Sequence, residues 1–473
     1  MRHHRIAVLF VILCLCLSGS GAMGATVTVD TSTRHQTIDG FGGFGPKHVW
    51  WSNEAARSGF FDDAYVARLI DDLGLTIIRD EVPPMFEFEN DDNAPGHFNW
   101  PRFNMTEYPP KPHKKGLTIA GKMPFYRAMK AKAEDSREPL KFISSIWSPP
   151  PWMKTNKSTI NGGSLVDADS MRAELAEFCA AYVKTVKRES GVDLYALSIQ
   201  NELAFVEPYN SCVYSPDQFA KALRTVGERF EKEGLATRIF GPECMGTYTR
   251  RDGVRNYLKP LLADREGAGR HLDVLAVHSY KDGVAPDYGD APGWTAIRDQ
   301  AAAPLGVPVW MTETGVRGSD WSTNGMDAGR AMYVALKYGN ASAWVWWYIR
   351  DTIMANGETP KPAYYASKHY CRFVRPGAVM VEAGCEDGAV LVTAFRHEAN
   401  GCLTVVMINN ADAPKKVALS GTGLPAQFEL YQSTPADPTC SAGGTVPASG
   451  EVGLPATSMT TLVAGEYRGT GGL

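Results

Sequence analysis

The sequence lacks an excess of positive charge. Its 473 residues include 48 Lys and Arg against 52 Asp and Glu, which gives a formal net charge of −4. Proteins that bind nucleic acid or anionic membranes usually carry a basic surplus that attracts phosphate groups. We therefore expect no nucleic-acid partner, and the composition otherwise is that of an ordinary globular protein.

Cysteine is scarce and is not arranged for metal binding. Two of the nine cysteines, Cys14 and Cys16, fall in the first 24 residues, and no CxxC pair or His/Cys group has zinc spacing. The glycine-rich segment 40–45 is followed by Pro46 and flanked by aromatic residues, unlike a dinucleotide-binding loop. We expect no metal site and no other cofactor. The seven remaining cysteines cannot all pair, because their number is odd.

Long apolar runs are absent after the N-terminal region. Arg2 and Arg5 precede the apolar run Ile6–Leu17, and the small residues of 18–24 follow it. This pattern is typical of a signal peptide, and the run is too short to span a bilayer. We predict a signal peptide over residues 1–24 and a secreted protein, extracellular or periplasmic, with no membrane span. We also expect a monomer.

Buried-strand patterns alternate with amphipathic helix patterns over much of the chain. Helical stripes occur between Met171 and Gly191 and between Ser215 and Gly234. The candidate strands are Ile38–Phe44, Leu75–Arg79, Leu140–Trp147, Leu194–Ile199, Thr237–Phe240, Leu272–Val277, Val307–Met311 and Ala343–Trp347. Eight strands with intervening helices predict an α/β fold, a (β/α)8 TIM barrel over residues 38–365.

The pattern changes after residue 366 to short alternating strands that are separated by turn residues: Gly388–Phe395, Cys402–Ile408, Phe428–Tyr431 and Met459–Val463. We predict an attached C-terminal antiparallel β-sandwich over residues 366–473. Residues 25–37 also alternate, and we expect them to form an N-terminal strand that joins this side domain.

Two glutamates follow apolar strands at positions where a barrel enzyme places its catalytic groups. Glu202 comes after the fourth candidate strand and Glu313 after the seventh. A carboxylate there is costly to bury without a partner or a purpose. Paired carboxylates cleave glycosidic bonds, one acting as a proton donor and the other as a nucleophile or base. Glu243 also lies near a strand end and is the reserve candidate for the proton donor.

Aromatic residues make up 10% of the chain, including 11 Trp. Planar apolar rings beside hydrogen-bonding groups suit sugar rings, although aromatics also fill protein cores. We expect four tryptophans to surround the two glutamates: Trp100, Trp147, Trp152 and Trp346. Trp346 alternates with Trp344, and we expect one of these two to face outward against helices. The proline-rich loop 82–116 is expected either at the functional face or packed on itself.

Five motifs together resemble glycoside hydrolase family 30 over nearly the whole chain from about residue 27. They are Gln36–Phe44, Ser148–Lys154, Gln200–Glu202, Met311–Thr314 and Phe373–Gly377. The resemblance implies a retaining double displacement with Glu202 as acid/base and Glu313 as nucleophile.

The same resemblance implies further substrate-binding residues around the two glutamates. Asn201 would hold the sugar 2-hydroxyl, and Arg79 and Tyr280 would bind and orient the nucleophile. The complete predicted set of substrate-binding residues is Asn201, Arg79, Trp147, Trp152, His278, Tyr280 and Trp346. Two simpler interpretations stay open: Arg79 could pair with the neighbouring Asp80 or Glu81, and His278 could only satisfy backbone groups.

The family covers several substrates, so the resemblance does not name one. The segment Trp346–Arg350 is most similar to the bacterial xylanase branch, but Asp351 stands where the glucuronate-reading members carry an arginine. We expect an endo-acting enzyme on β-linked polysaccharide, with xylan first and β-1,6-linked glucan or galactan, or a glucosylceramide, as alternatives. A transglycosylase and a non-catalytic carbohydrate-binding protein are the remaining alternatives.

Overall fold

A computed structural model describes residues 24–48, 59–104, 119–245, 253–280 and 291–467. The predicted signal peptide, apart from its last residue, lies outside these residues. Eight parallel strands close into a barrel. They are β2 (Gly40–Phe44), β3 (Ile77–Val82), β4 (Lys141–Ile146), β5 (Leu194–Ser198), β6 (Arg238–Cys244), β7 (Val274–His278), β8 (Val309–Glu313) and β9 (Ala341–Trp346). Each predicted strand is present, with ends that differ by a few residues.

Helices connect the strands on the outside of the barrel. The α-helices are α1 (Asp63–Ala67), α2 (Ile119–Asp135), α3 (Asp169–Ser190), α4 (Pro216–Glu233), α5 (Val254–Ala263), α6 (Ala291–Ile297), α7 (Ala303–Leu305), α8 (Met326–Gly339), α9 (Ile349–Thr352) and α10 (Pro362–Cys371). Helix α4 begins and ends where its sequence signals predict. Ser215 and Gln218 form a reciprocal capping box, and Gly234 ends the helix in the left-handed conformation at φ 64°.

Large side chains fill the interior of the barrel. Trp310 lies at its centre, fully buried, with its ring near those of Tyr195 and Phe240. The Trp310 indole nitrogen donates to a carboxylate oxygen of Asp39 at 2.9 Å. The barrel is thus a packed core rather than a pore, and a substrate must bind beyond the strand ends.

The side domain is built on one sheet of nine strands, in the order β17-β16-β19-β14-β13-β12-β1-β15-β18. Its strands are β1 (Ala25–Thr37), β12 (Ala378–Cys385), β13 (Val390–His397), β14 (Cys402–Asn409), β15 (Lys415–Thr422), β16 (Gln427–Ser433), β17 (Ser441–Pro447), β18 (Glu451–Leu454) and β19 (Ser458–Ala464). The short hairpin β10 (Met354–Ala355) and β11 (Thr359–Pro360) is separate. Strand β1 pairs antiparallel with β12 and parallel with β15, so the expectation that the N-terminal strand joins this domain is confirmed.

Helix α10 connects the barrel to the sheet. On one side the Tyr364 hydroxyl donates to Asp72 at 2.7 Å, and on the other His369 Nδ1 lies 2.8 Å from the Thr461 hydroxyl. The predicted division at residue 366 falls inside this helix, which packs against both parts.

None of the seven cysteines within residues 24–467 forms a disulfide bond. Cys179 is fully buried in α3 and is a core residue. Among the helices in the described parts of the chain, none combines the length and hydropathy needed to cross a membrane.

Candidate active site

The two predicted catalytic glutamates meet at the carboxyl end of the barrel. Glu202 lies in the loop after β5, and Glu313 is the last residue of β8. One carboxylate oxygen of Glu202 lies within 4.8 Å of one of Glu313. Both side chains are largely buried, with 8% and 6% of each residue exposed. The strand ends therefore bring together two carboxyl groups that are 111 positions apart in the sequence.

Arg79 on β3 is the central cation of the site. Its Nη1 donates to Glu313 Oε2 at 2.5 Å, and its Nη2 donates to Asn201 Oδ1 at 2.7 Å and to Glu243 Oε1 at 3.0 Å. The guanidinium is fully buried. Such charge-assisted hydrogen bonds hold Asn201 and both carboxylates in one arrangement.

Arg79 does not pair with its sequence neighbours. Asp80 receives hydrogen bonds from Lys122 at 3.2 Å and from Tyr126 at 2.8 Å, and Glu81 receives one from Asn210. The local ion-pair interpretation is therefore wrong. Asp80 points to the opposite face of the strand from Arg79, and Arg79 pairs with Glu243 and Glu313 rather than with Glu81.

His278 and Tyr280 bind the carboxyl groups from β7 and the loop after it. His278 Nδ1 lies 2.9 Å from Glu202 Oε1, and its Nε2 lies 3.4 Å from Glu243 Oε1. The Tyr280 hydroxyl donates to Glu313 Oε1 at 3.0 Å. His278 thus contacts carboxylate side chains rather than only backbone groups. Burial alone would lower the pKa of His278, but the carboxylates of Glu313, Glu202 and Glu243 outweigh it and raise this pKa to about 9.

Burial raises the pKa of Glu202, and the hydrogen bond and charge of His278 offset only part of that rise. A carboxyl group with a raised pKa keeps its proton at higher pH and can donate it to a leaving group. The surroundings of Glu202 therefore favour its protonated form.

Glu243, the reserve candidate, has a different environment. It is fully buried at the end of β6, and Oε1 also receives the Thr312 hydroxyl at 2.9 Å. Burial would raise the pKa of Glu243, but Arg79 and His278 lower it to about 2. A carboxylate that stays ionised and enclosed cannot donate a proton to a substrate, so Glu202 is the better candidate for that role.

Glu202 and Glu243 both adopt left-handed backbone conformations, with φ of 48° and 50°. The Glu202 amide donates to the Glu243 carbonyl at 3.2 Å. Residues other than glycine pay a cost for this conformation, and such positions cluster at functional sites.

Aromatic rings line the same end of the barrel. Trp147 follows β4, and its ring lies 4.7 Å from the Arg79 guanidinium carbon. The Trp347 ring packs 5.9 Å from that of Trp147 and 4.7 Å from that of Phe44. Trp347 is partly exposed, whereas Trp147 is 7% exposed. Trp147 therefore lies beside the catalytic residues, as predicted, and Trp347 lies next to it at the same end of the barrel.

The stacking role predicted for Trp346 is wrong. Trp344 and Trp346 are both 1% exposed, and their rings pack on each other at 5.2 Å. The Trp346 indole donates to Ser367 Oγ on α10, behind the barrel wall. Residues two apart on a strand share a face, so neither of the two points toward the site. The next residue, Trp347, points to the other face and contacts Trp147, and the sequence analysis did not identify it as a site residue.

The other two tryptophans predicted near the carboxylates, Trp152 and Trp100, do not lie together. The Trp152 indole donates to the Glu87 carbonyl at 3.0 Å, which ties the loop after β4 to the loop after β3. Trp100 stacks on Phe98 and lies 4.9 Å from the guanidinium of Arg188, in the last turn of α3. That helix end is at the opposite end of the barrel, so the expectation that Trp100 surrounds the carboxylates is wrong.

Known proteins similar to this chain are glycoside hydrolases. Glucuronoxylanase XynC of Bacillus subtilis (strain 168) is 25% identical over 97% of this chain and 97% of its own length. Endo-1,6-beta-D-glucanase neg1 of Aspergillus fumigatus is 22% identical over 66% of this chain and 64% of its own. The solved family 30 subfamily 8 xylanase Xyn30A of Clostridium acetobutylicum is 22% identical and superposes with a TM-score of 0.70, covering 93% of this chain and 100% of that one. No protein-family model matches the chain.

The relatives and the fold together define the chain as an O-glycosyl hydrolase with a TIM barrel and an attached β-domain. The resemblance to glycoside hydrolase family 30, and within it to the xylanase branch, is confirmed.

Proposed function

We propose that the protein is a secreted endo-β-1,4-xylanase that retains configuration at the anomeric carbon. The main observation in support of this mechanism is that one carboxylate oxygen of Glu202 lies within 4.8 Å of one carboxylate oxygen of Glu313. Retaining glycosidases hold their carboxyl groups roughly 5–5.5 Å apart, whereas inverting enzymes need roughly 6.5–9.5 Å to admit water.

In this mechanism Glu313 attacks the anomeric carbon while Glu202 protonates the leaving oxygen. Arg79 and Tyr280 each donate a hydrogen bond to one oxygen of Glu313 and so orient it for attack. Asn201, whose side-chain oxygen is held by Arg79, offers its amide nitrogen to the sugar 2-hydroxyl. Glu202, deprotonated after the first step, then activates the water that releases the sugar.

Xylan is the preferred substrate because the xylanases XynC and Xyn30A match the chain along most of its length. Glucuronate side groups are not needed for recognition. Asp351 in α9 is exposed after β9 and binds the Tyr348 hydroxyl at 2.9 Å, whereas Thr352 and Ile353 are buried. An exposed carboxylate repels a uronate, so the enzyme cleaves neutral stretches of the chain.

The second candidate is an endo-β-1,6-glucanase, which the similarity to the Aspergillus enzyme favours. A panel of linear xylan, glucuronoxylan, β-1,6-glucan and glucosylceramide decides between them by release of reducing ends. We expect linear xylan to be cleaved at least as well as glucuronoxylan. Activity on β-1,6-glucan alone identifies the second candidate, and activity on glucosylceramide alone contradicts both.

Two further measurements test the retaining mechanism and the secretion of the protein. A 2-fluoro-xyloside with a good leaving group should trap a glycosyl ester on Glu313, which peptide mass spectrometry detects. The apolar run Ile6–Leu17 supports export, and N-terminal sequencing of the extracellular protein should begin near Ala25.

A further inference from the structure

A second group of carboxylates lies away from the catalytic pair, where the loop after β3 packs on α3. Glu87 and Asp91 come from the loop, and Glu174 and Glu177 come from successive turns of the helix. Glu87 and Glu177 are fully buried, and Glu174 is 3% exposed. One carboxylate oxygen from each of Glu87, Asp91 and Glu174 lies within 4.8 Å of the other two.

Six carboxylate oxygens of this group are buried without a hydrogen-bond donor in the described parts of the chain. Both oxygens of Glu87, both of Glu177 and one each of Asp91 and Glu174 are buried without a partner. Such groups carry a high desolvation cost unless a cation or a proton compensates the charge.

One nearby cation, Arg229, is bound mainly by other groups. Arg229 on α4 forms an ion pair with Glu233 at 2.9 Å, donates to the Pro95 carbonyl and lies over the Phe98 ring. Its charge acts on Glu177 and is shared with Glu233. Several carboxyl groups therefore lack a compensating cation among the side chains in this part of the structure.

We propose that Glu87, Asp91 and Glu174 form a calcium-binding site. Three oxygens no more than 4.8 Å apart can all lie within about 2.8 Å of one point, and a slight contraction reaches the 2.3–2.6 Å of calcium–oxygen bonds. Carboxylate oxygens suit a hard divalent cation, and loop and helix ligands of uneven spacing fit calcium better than the strict octahedron of magnesium. Glu177 adds negative charge beside the ligands.

The site would fix the loop after β3 to the outside of the barrel. The backbone carbonyl of the ligand Glu87 accepts the hydrogen bond from Trp152, so the bound cation also holds the loop that carries this tryptophan. Calcium should therefore raise the thermal stability of the protein as a linked ligand of the folded state.

The test uses the full-length secreted protein after removal of divalent ions with a chelating resin. Isothermal titration with CaCl2 should show one calcium ion per chain, and the melting temperature should rise with calcium concentration. Asp91→Asn changes a partly exposed loop residue and so tests the site without removing a core group. We expect it and Glu174→Gln to weaken calcium binding at least tenfold, because each removes a charged ligand.

Two control variants locate the cation. Glu89→Gln alters an exposed carboxylate of the same loop and should leave calcium binding unchanged. Glu202→Gln should also leave it unchanged, because the catalytic carboxylates do not contribute to this site. Loss of calcium binding in Glu202→Gln would place the ion at the active site and overturn the proposal. Absence of saturable binding by the unmodified protein up to about 10 mM calcium, well above the dissociation constants of weak extracellular sites, would also overturn it.

Discussion

The Arg79 guanidinium donates a hydrogen bond of 2.5 Å to the Glu313 carboxylate while both groups are shielded from solvent. The same guanidinium also contacts Glu243 and Asn201. The buried Arg79 guanidinium therefore positions three side chains. They are the candidate nucleophile Glu313, the enclosed Glu243, and Asn201, which precedes the candidate proton donor.

Replacing Arg79 should damage both stability and activity. Arg79→Met leaves Glu313 and Glu243 buried without their cation, and breaking a buried pair in this way costs roughly 3–5 kcal/mol of unfolding free energy. Arg79→Lys keeps the charge but not the fork of donors, so it should lose less stability while kcat still falls on the order of 100-fold. Urea unfolding and xylan hydrolysis measure the two effects. Wild-type kcat in Arg79→Lys would contradict the orienting role.

Glu313→Gln should abolish turnover and leave binding intact. The amide preserves the shape of the side chain but removes the nucleophile, so kcat should fall on the order of 10⁴-fold. Calorimetry with a xylo-oligosaccharide should give a dissociation constant close to that of the wild type. Glu451→Gln, an exposed change in the side domain, is the matched control. A Glu313→Gln protein with normal turnover would contradict the assignment.

Glu202→Ala should discriminate between leaving groups. A proton donor accelerates the departure of a poor leaving group by roughly 10²–10⁴-fold and matters little for an activated aryl glycoside. Hydrolysis of xylo-oligosaccharides should therefore decrease far more than the glycosylation step with a nitrophenyl xyloside, measured as the first burst of product. Equal losses on both substrates would show that Glu202 does not donate the proton.

His278 should make the stability of the fold dependent on pH. Its pKa in the folded protein is about 9, above the ordinary 6.5, so its ion pairs stabilise the fold fully below pH 6.5. This contribution is lost as pH rises through 9. The difference in unfolding free energy between wild type and His278→Gln should thus shrink by on the order of 3 kcal/mol from about pH 6 to above pH 9. Urea unfolding at several pH values tests this, and a difference that stays constant contradicts it.

Trp347 and Trp346 should respond differently to substitution. Trp347→Ala removes a partly exposed ring beside Trp147, and KM for xylo-oligosaccharides should rise about fivefold to tenfold. Trp346→Phe removes the hydrogen bond to Ser367 and some buried volume, so it should lower stability by about 1–3 kcal/mol with little change in KM. The opposite pattern would restore Trp346 as the sugar-binding residue.

Much of the fold follows from local patterns. Strand and helix periodicity predicted all eight barrel strands, and the signals at Ser215 and Gly234 predicted both ends of α4. Four strands of the side domain, β12, β15, β17 and β18, were not predicted. Strand β18 has only four residues, and β15 and β17 expose half or more of theirs, so their alternation of apolar and polar residues is a weak signal.

The chemistry of the site was only partly predictable. The strand-end positions of Glu202 and Glu313 follow from barrel topology, since parallel strands place their carboxyl ends together. The direction of Trp346 was predicted wrongly, because a shift of one residue in the assumed face moves every side chain to the other side. The carboxylate group around Glu87 was not predicted at all, because its members come from one loop and a distant helix and have no spacing pattern.

The sequence by itself determined the order of the barrel strands, the two carboxylates and the family resemblance, because these depend on residue types and local spacing. Only the tertiary structure decided which side chains meet. It placed Arg79 against Glu313 rather than Asp80, and it enclosed Glu243 while leaving Glu202 at the opening. The physical reason is that burial and distance set the charge state of a carboxyl group. Both quantities arise from contacts between segments that are far apart in the chain.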